Sequence, residues 1–202
     1  MIIVFARAPV PGRAKTRLIP RLGDWGAARL HRRLVSHALQ VARRADPVVE
    51  LHGTRRHRFF ENLGVPFRVQ RGHDLGERMY HALSKAKRRQ RAVILIGSDC
   101  PVLTPGDLRR AARWLRGGCD AVLAPAEDGG YALIGARRIS FSIFEGIGWG
   151  GAHVYDETVK RLARAGYRWR ALRPVWDVDR PEDLERFRSL RFASTARQAA
   201  RR

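Results

Sequence analysis

The stretch of sequence that most constrains the fold is AVILIG, at residues 92–97. The five residues from Ala92 to Ile96 are all apolar, and three of them are β-branched. Such a run is too short for an ordinary helix, so it predicts a strand that is buried on both faces. Strands of this kind belong to sheets that helices cover on both sides.

The rest of the chain alternates extended and helical segments. Apolar residues at three- and four-residue steps predict helices over 24–45, 75–88, 105–116 and 154–165. His31 and His37 lie in the first of these helices and are interpreted as packing or surface residues. Further strands are predicted at 1–6, 48–52, 65–70, 120–125, 167–172 and 175–178. The alternation predicts one three-layer α/β/α domain with a mostly parallel sheet over 1–190, followed by a basic, frayed tail at 191–202.

Composition narrows the functional classes. The chain has 40 Lys and Arg against 19 Asp and Glu, a net charge of +21, which favours anionic partners. The basic residues are scattered over predicted helix faces, so nucleic-acid or polyanion binding is kept as an alternative function only. No apolar run is long enough to span a membrane, no signal peptide is evident, and the two cysteines lack metal or disulfide spacing. We therefore expect a cytoplasmic protein.

The residues after the central strand are candidates for ligand binding. Gly97 ends the strand, and Ser98, Asp99, Cys100 and Pro101 follow at its carboxyl end. Ligands of open α/β sheets bind at that edge, which suits Asp99 for holding a metal–phosphate group. The alternative is a turn aspartate that bonds to its own backbone. Cys100 is not favoured as a nucleophile, because no motif supplies a partner histidine.

A basic loop follows the first predicted strand. Two prolines and a glycine shape it, and its cationic residues would suit a phosphate, although it matches neither common glycine-rich phosphate motif. The alternative is a basic surface loop. The nucleotide- or phosphate-binding candidates are Arg7, Gly12, Arg13, Lys15, Thr16 and Arg17, together with Ser98.

Two other loops carry candidate residues. In the segment EDGGY, a ligand-binding role and a simple hairpin turn are equally compatible with Asp128, Gly129 and Gly130. Tyr131 follows directly, and Trp149 lies in a glycine-rich loop that is either a lid or a connection.

Capping signals account for several carboxylates. Thr104 and Asp107 begin a helix by the usual rules, and Asp74–Glu77 has the spacing of a capping box. Asp179 and Glu182 have the same spacing, which favours a capping role for Asp179. Asp177 has no such structural explanation and becomes the candidate second metal ligand beside Asp99.

These motifs resemble one bacterial family. FARAPVPGRAKTRL, LIGSDCPVL, APAEDGGYALIG and WDVDRPEDL occur in the order typical of the DUF2064 group of glycosyltransferase A-like proteins. The chain is more distantly similar to deazaflavin-cofactor guanylyltransferases and molybdenum-cofactor nucleotidyltransferases. One departure from the pattern is Gly150, where a hydroxyl residue commonly follows the loop tryptophan.

The resemblance implies a Rossmann-like GT-A (nucleotide-diphospho-sugar transferase) fold and a Mg²⁺- or Mn²⁺-dependent enzyme. The expected reaction is glycosyl transfer from a nucleotide-diphospho-sugar to a small acceptor, with nucleotidyl transfer that releases pyrophosphate as the alternative. Neither a specific nucleic-acid partner nor a membrane span is expected. Asp99, Asp128 and Lys15 are the catalytic candidates; Asp128, Gly129, Gly130, Tyr131 and Trp149 are the substrate-binding candidates; and Asp99, Asp177 and Asp179 are the metal-binding candidates.

Overall fold

The computed structural model describes residues 1–190, which form a seven-stranded sheet with helices on both faces. The strands are β1 (Ile2–Ala6), β2 (Val49–Gly53), β3 (Phe67–Val69), β4 (Val93–Gly97), β5 (Ala121–Pro125), β6 (Tyr131–Ala136) and β7 (Trp169–Ala171). The helices are α1 (Ile19–Arg43), α2 (Arg58–Glu61), α3 (Leu75–Lys87), α4 (Pro105–Arg116) and α5 (Val154–Arg164). Short 3₁₀ helices cover Thr16–Leu18 and Phe141–Ile143, and a last helical segment covers 183–190. The predicted tail at 191–202 lies outside the described residues.

The sheet is mixed and mostly parallel, as predicted. Its strand order is β3-β2-β1-β4-β6-β5-β7, and β6 alone in this sheet runs antiparallel to its two neighbours. The central pair β1 and β4 is parallel, with Ile2 opposite Ile94 and Phe5 opposite Gly97. The carboxyl ends of β1 and β4 therefore lie side by side, and the loops that follow them meet at one edge of the sheet.

Two cores account for the buried strands. On one face, Ile94 and Ile96 of β4 pack with residues of α1 and α4. On the other face, Val93 and Leu95 pack with residues of α3 and α5. Successive side chains of one strand thus enter opposite cores, which confirms the predicted three-layer arrangement.

Two predicted helix starts are confirmed, and a third helix begins earlier in the chain than predicted. Thr104 and Asp107 form a reciprocal capping box at α4, and the Asp74 carboxylate accepts the Glu77 N–H at α3. The first helix begins at Ile19 rather than at Asp24. Gly23 interrupts it with non-helical angles (φ 67°, ψ 168°), so the predicted start lies directly after this kink.

The carboxyl-terminal segment differs from the prediction in two respects. Residues 175–178 are not a strand, because Val175 forms only an isolated bridge with Ala126. The Asp179–Glu182 capping box is also wrong. The Asp183 carboxylate instead accepts the N–H groups of Asp179 and Arg180 at 2.9 and 2.7 Å, so it satisfies the backbone just before the last helical segment. This leaves the side chain of Asp179 available for contacts elsewhere.

Candidate functional site

A cleft of about 260 Å³ lies at the carboxyl edge of the central strands. We call it the carboxylate cleft, because Asp99, Asp128 and Asp177 line it. It brings together the loop after β4, the β5–β6 hairpin, the glycine-rich loop and the start of α3. Its other lining residues include Leu75, Met79, Gly97, Cys100, Gly130, Tyr131, Trp149, Gly150 and Val154.

Lys15 connects the basic loop to this cleft. Its Nζ lies 2.8 Å from Oδ2 of Asp99 and 3.7 Å from Oδ1 of Asp179, and only 3% of the side chain is exposed. Lys15 has a left-handed backbone (φ 52°, ψ 47°), the one non-glycine residue within 1–190 with positive φ. That conformation costs about 1–2 kcal/mol for an ordinary residue, so the surrounding contacts must hold it in place.

Three side chains contact the carboxylate of Asp99. Besides Lys15, Nδ1 of His31 lies 3.4 Å from Oδ1, and the Ser98 hydroxyl donates to the same oxygen at 3.1 Å. Burial opposes ionisation of Asp99, but the nearby Lys15 and His31 outweigh it and hold its pKa well below the usual range. Asp99 is therefore an anion at neutral pH, and 38% of its side chain remains exposed.

His31 is a site residue that the sequence interpretation missed. The ring is buried, and Nε2 lies 2.9 Å from the backbone carbonyl of Arg7 while Nδ1 faces Asp99. It therefore joins the basic loop to the end of β4. The available signal was its place on the apolar stripe of α1, between Leu30 and Leu34, where a polar side chain needs a partner.

Asp177 lies in a contrasting environment. Burial is the largest influence on it, and Asp128, Asp99 and Asp179 add like-charge repulsion, so its pKa rises to about 6 although Lys15 opposes the change. No cation pairs with Asp177 among residues 1–190. Negative charge is thus concentrated on this side of the cleft.

The EDGGY segment combines a turn with a cleft wall. Asp128 Oδ1 accepts the N–H of Gly130 at 2.9 Å, and the two residues also line the cleft. Gly129 has φ +86°, and a Cβ there would lie 1.9 Å from the carbonyl oxygen of Ala152. Gly129 therefore accommodates the backbone before α5, and its expected approach to a ligand stays a prediction.

Trp149 is anchored rather than free. A Cβ on Gly76 would lie 2.5 Å from its ring, so the indole packs directly on the first turn of α3. Tyr131 meets the same ring edge-on, at 6.5 Å between centroids. The glycine-rich loop is thereby fixed at Trp149, which forms an aromatic wall of the cleft together with Tyr131.

The remaining basic-loop candidates differ in position. Arg7, Arg13 and Thr16 are exposed, and Arg17 forms an ion pair with Asp179. Gly12 has φ 75° in a turn where the Val10 carbonyl accepts the N–H of Arg13 at 3.0 Å. Ser98 is buried against Asp99 and is not placed to meet a ligand directly. Burial raises the pKa of Cys100 to about 11, which disfavours its thiolate form at neutral pH.

The donors present are carboxylate oxygens, which suit Mg²⁺ or Mn²⁺. Within residues 1–190, however, no three His, Cys, Asp or Glu side chains are arranged to enclose a metal ion. The cleft thus offers at most a partial, protein-derived ligand set.

None of the helices within residues 1–190 combines the length and apolar composition of a membrane span.

The chain is similar to one bacterial protein family and to several solved structures. Residues 34–151 match the model of the family described as uncharacterized protein conserved in bacteria, DUF2064. A crystal structure from Desulfovibrio desulfuricans G20, described provisionally as a nucleotide-diphospho-sugar transferase, is 37% identical with a TM-score of 0.83. That match covers 89% of this chain and 81% of the other. No curated protein matches the chain.

Two more distant structures share the fold. A nucleotidyl transferase of Methanothermobacter is 16% identical, with a TM-score of 0.64 and coverage of 96% of this chain and 99% of the other. Rv0371c of Mycobacterium tuberculosis H37Rv, solved in complex with manganese, is 19% identical with a TM-score of 0.54, and the match covers 92% and 96% of the two chains. The GT-A-like α/β fold expected from the sequence is confirmed.

Proposed function

The chain belongs to the DUF2064 family, and from that premise we propose that it is a metal-dependent transferase with a nucleotide donor. One observation carries the proposal. Asp99, at the carboxyl end of β4, is ion-paired with the buried Lys15 of the basic loop, beside a cleft that Asp128 and Asp177 also line. Ligands of open α/β sheets bind at this edge, between a cationic loop and carboxylates that can bind metal.

Glycosyl transfer from a nucleotide-diphospho-sugar to a small acceptor is the favoured reaction. The similarity to the Desulfovibrio protein supports it. Nucleotidyl transfer is the second candidate, because a basic loop with the exposed Arg7 and Arg13 at a strand end also suits a triphosphate. Both reactions need the same neutralisation of phosphate charge, so the same residues would serve either.

Asp99 and Asp177 are the residues that would hold Mg²⁺ or Mn²⁺, with Asp179 as a further carboxylate nearby. Mg²⁺ commonly takes only one or two protein carboxylates and completes its shell with water and substrate phosphates. A partial ligand set therefore fits the ion. Burial and the neighbouring carboxylates raise the pKa of Asp177, and a bound cation would relieve the repulsion between these carboxylates. When bound, the ion would stabilise charge on the departing phosphate.

The chain's own residues have distinct proposed roles. Lys15 and His31 keep Asp99 ionised and oriented, while the exposed Arg7 and Arg13 are free to approach donor phosphates. Asp128 would accept a hydrogen bond from an acceptor hydroxyl, or act as the base that removes its proton.

The walls of the cleft would position the donor or acceptor. Tyr131 and Trp149 supply apolar faces on which a sugar or base can pack. Gly130 contributes a wall without side-chain bulk, while Gly129 supports it from behind.

The first experiment is isothermal titration of the full chain with nucleoside triphosphates, nucleoside diphosphates and nucleotide sugars, each in Mg²⁺, Mn²⁺ or EDTA. We expect one nucleotide sugar to bind in a metal-dependent manner and the Asp99→Asn variant to lose that binding. Asp156→Asn, an equal charge change on the exposed first turn of α5, is the control and should bind normally.

The outcomes separate the candidate reactions. A preference for one triphosphate, with pyrophosphate released on turnover, would favour nucleotidyl transfer. Equal binding of heparin and of every phosphate, indifferent to metal and to Asp99→Asn, would overturn the transferase proposal in favour of polyanion binding.

A further inference from the structure

A second cavity, of about 860 Å³, lies at the opposite edge of the sheet. Its lining includes Ile2, the first residue of β1, and Ile94, near the start of β4. It shares no lining residue with the carboxylate cleft. Since β4 spans about 13 Å between the two edges, a small molecule in one cavity would not reach the other.

Five basic side chains line this second cavity, which we call the basic cavity: Lys87, Arg89, Arg91, Arg116 and Arg137. Arg137 is committed to an ion pair with Asp120, and Lys87 donates to the backbone carbonyl of Arg91. Within residues 1–190, Arg89, Arg91 and Arg116 form no ion pair. Burial and the nearby Arg137 lower the pKa of Lys87, as expected where cations are crowded.

The carboxylates near the basic cavity do not balance this charge. Asp46 is the only acidic residue in its lining among the described residues, and it contacts the Met1 amine at 2.9 Å. Four of the basic side chains therefore have no carboxylate partner. Like charges gathered around a cavity repel one another, so an anion bound there would gain their combined attraction.

The floor of the basic cavity is apolar. Ala45, Ala92 and Ala112 are half-buried residues packed against one core, and they also line the cavity. A ligand that covers this floor needs an apolar part next to its charge. The volume lies in the range of small-molecule sites, roughly 300–1,000 Å³.

We propose that the basic cavity binds a small organic phosphate, with its phosphate held by Arg89, Arg91 and Arg116 and its apolar part over Ala92 and Ala112. Guanidinium groups bind phosphate with paired, charge-assisted hydrogen bonds, which explains the use of arginine here. The phosphate could be that of a free metabolite or of a phospholipid headgroup. This site is independent of the proposed transfer reaction.

The test uses phenyl phosphate as the probe and the full, ¹⁵N-labelled chain. We expect the backbone amides of Arg89, Arg91 and Arg116 to shift, and Arg89→Ala/Arg116→Ala to weaken binding at this site at least about tenfold. The matched control is Arg88→Ala/Arg113→Ala. It removes the same charge from adjacent, exposed positions that do not line the cavity, and should change the affinity less than about twofold.

Three results would overturn the proposal. They are equal weakening in both double variants, no weakening in either, and shifts confined to residues of the carboxylate cleft. Cosedimentation with phosphatidylcholine vesicles, with and without phosphatidylglycerol, identifies the source. Binding to the anionic vesicles that needs Arg89 and Arg116 assigns the site to lipid headgroups, whereas phenyl phosphate binding without cosedimentation assigns it to a free phosphate.

Discussion

Nζ of Lys15 lies 2.8 Å from Oδ2 of Asp99, and this ion pair joins the basic loop after β1 to the carboxyl end of β4. The lysine is buried and has a left-handed backbone, whereas the aspartate is partly open to the cleft. Lys15 therefore has a strained backbone conformation, while Asp99 presents an ionised carboxylate to the cleft.

Two substitutions of Lys15 separate these effects. Lys15→Ala removes the ammonium and keeps the left-handed strain, and we expect it to lose about 2–3 kcal/mol, less than a fully buried pair because Asp99 is partly exposed. Lys15→Gly also removes the ammonium but accepts positive φ freely, so it should be about 1 kcal/mol more stable than the alanine variant. Urea denaturation measures both. Alanine and glycine variants of equal stability would contradict the predicted strain.

The pH dependence of stability should reveal Asp177. Its pKa is about 6 in the folded chain against an ordinary 3.8, so its protonated form stabilises the fold below pH 4 and this contribution is lost as pH rises through 6. Asp177→Asn removes the penalty of the charge. We expect it to gain about 1–2 kcal/mol over the natural chain at pH 8, after allowance for solvent screening, and to gain nothing at pH 4.

Asp99→Asn should change the pH dependence of stability in the opposite direction to Asp177→Asn. The pKa of Asp99 is lowered in the folded chain, so its contribution is present above its ordinary value and is lost as pH falls. The asparagine variant should therefore be less stable than the natural chain at pH 8, and the difference should narrow toward acid. Urea denaturation at the two pH values checks both variants, and parallel pH profiles for Asp177→Asn and the natural chain would contradict the assignment.

Much of the fold could be predicted because local and global signals agree. The run at 92–97 is short, apolar and β-branched, and it forms β4 within one residue of the predicted bounds. Thr104, Pro105 and Asp107 specify a helix start without help from distant contacts, and the structure has that capping box. The position of Asp99 at the carboxyl end of β4 followed directly from the strand prediction.

The missed features depend on contacts distant in sequence. Asp179 has capping-box spacing, yet its partner is Arg17, 162 residues away in the chain, and no local pattern encodes that choice. A glycine suits both a ligand loop and a tight packing contact, and only the folded chain brings Ala152 beside Gly129. His31 has the spacing of a core residue, and only the folded chain brings it to Asp99.

The corrected cap gives a direct prediction. Asp183→Ala should lose about 1 kcal/mol, because the N–H groups of Asp179 and Arg180 lose their shared acceptor. Glu182→Ala, at the position that the sequence pattern favoured, is the matched control and should change stability by less than about 0.5 kcal/mol. Thermal unfolding of the two variants measures the difference. The reverse order would restore the Asp179–Glu182 box.

Gly129 and Gly150 have nearly the same φ. Alanine variants at these two positions therefore show whether the backbone angle or a steric contact requires glycine at 129. Gly129 and Gly150 have φ of +86° and +89°, but a Cβ at Gly129 would lie 1.9 Å from the Ala152 carbonyl oxygen, and one at Gly150 would meet nothing within 4 Å. Gly150→Ala should therefore cost only the backbone strain, about 1 kcal/mol. Gly129→Ala adds a clash with backbone that cannot rotate away, and we expect a loss of about 3 kcal/mol or more. Urea denaturation of the two variants decides the point, since equal losses would mean that positive φ alone accounts for the glycine at 129.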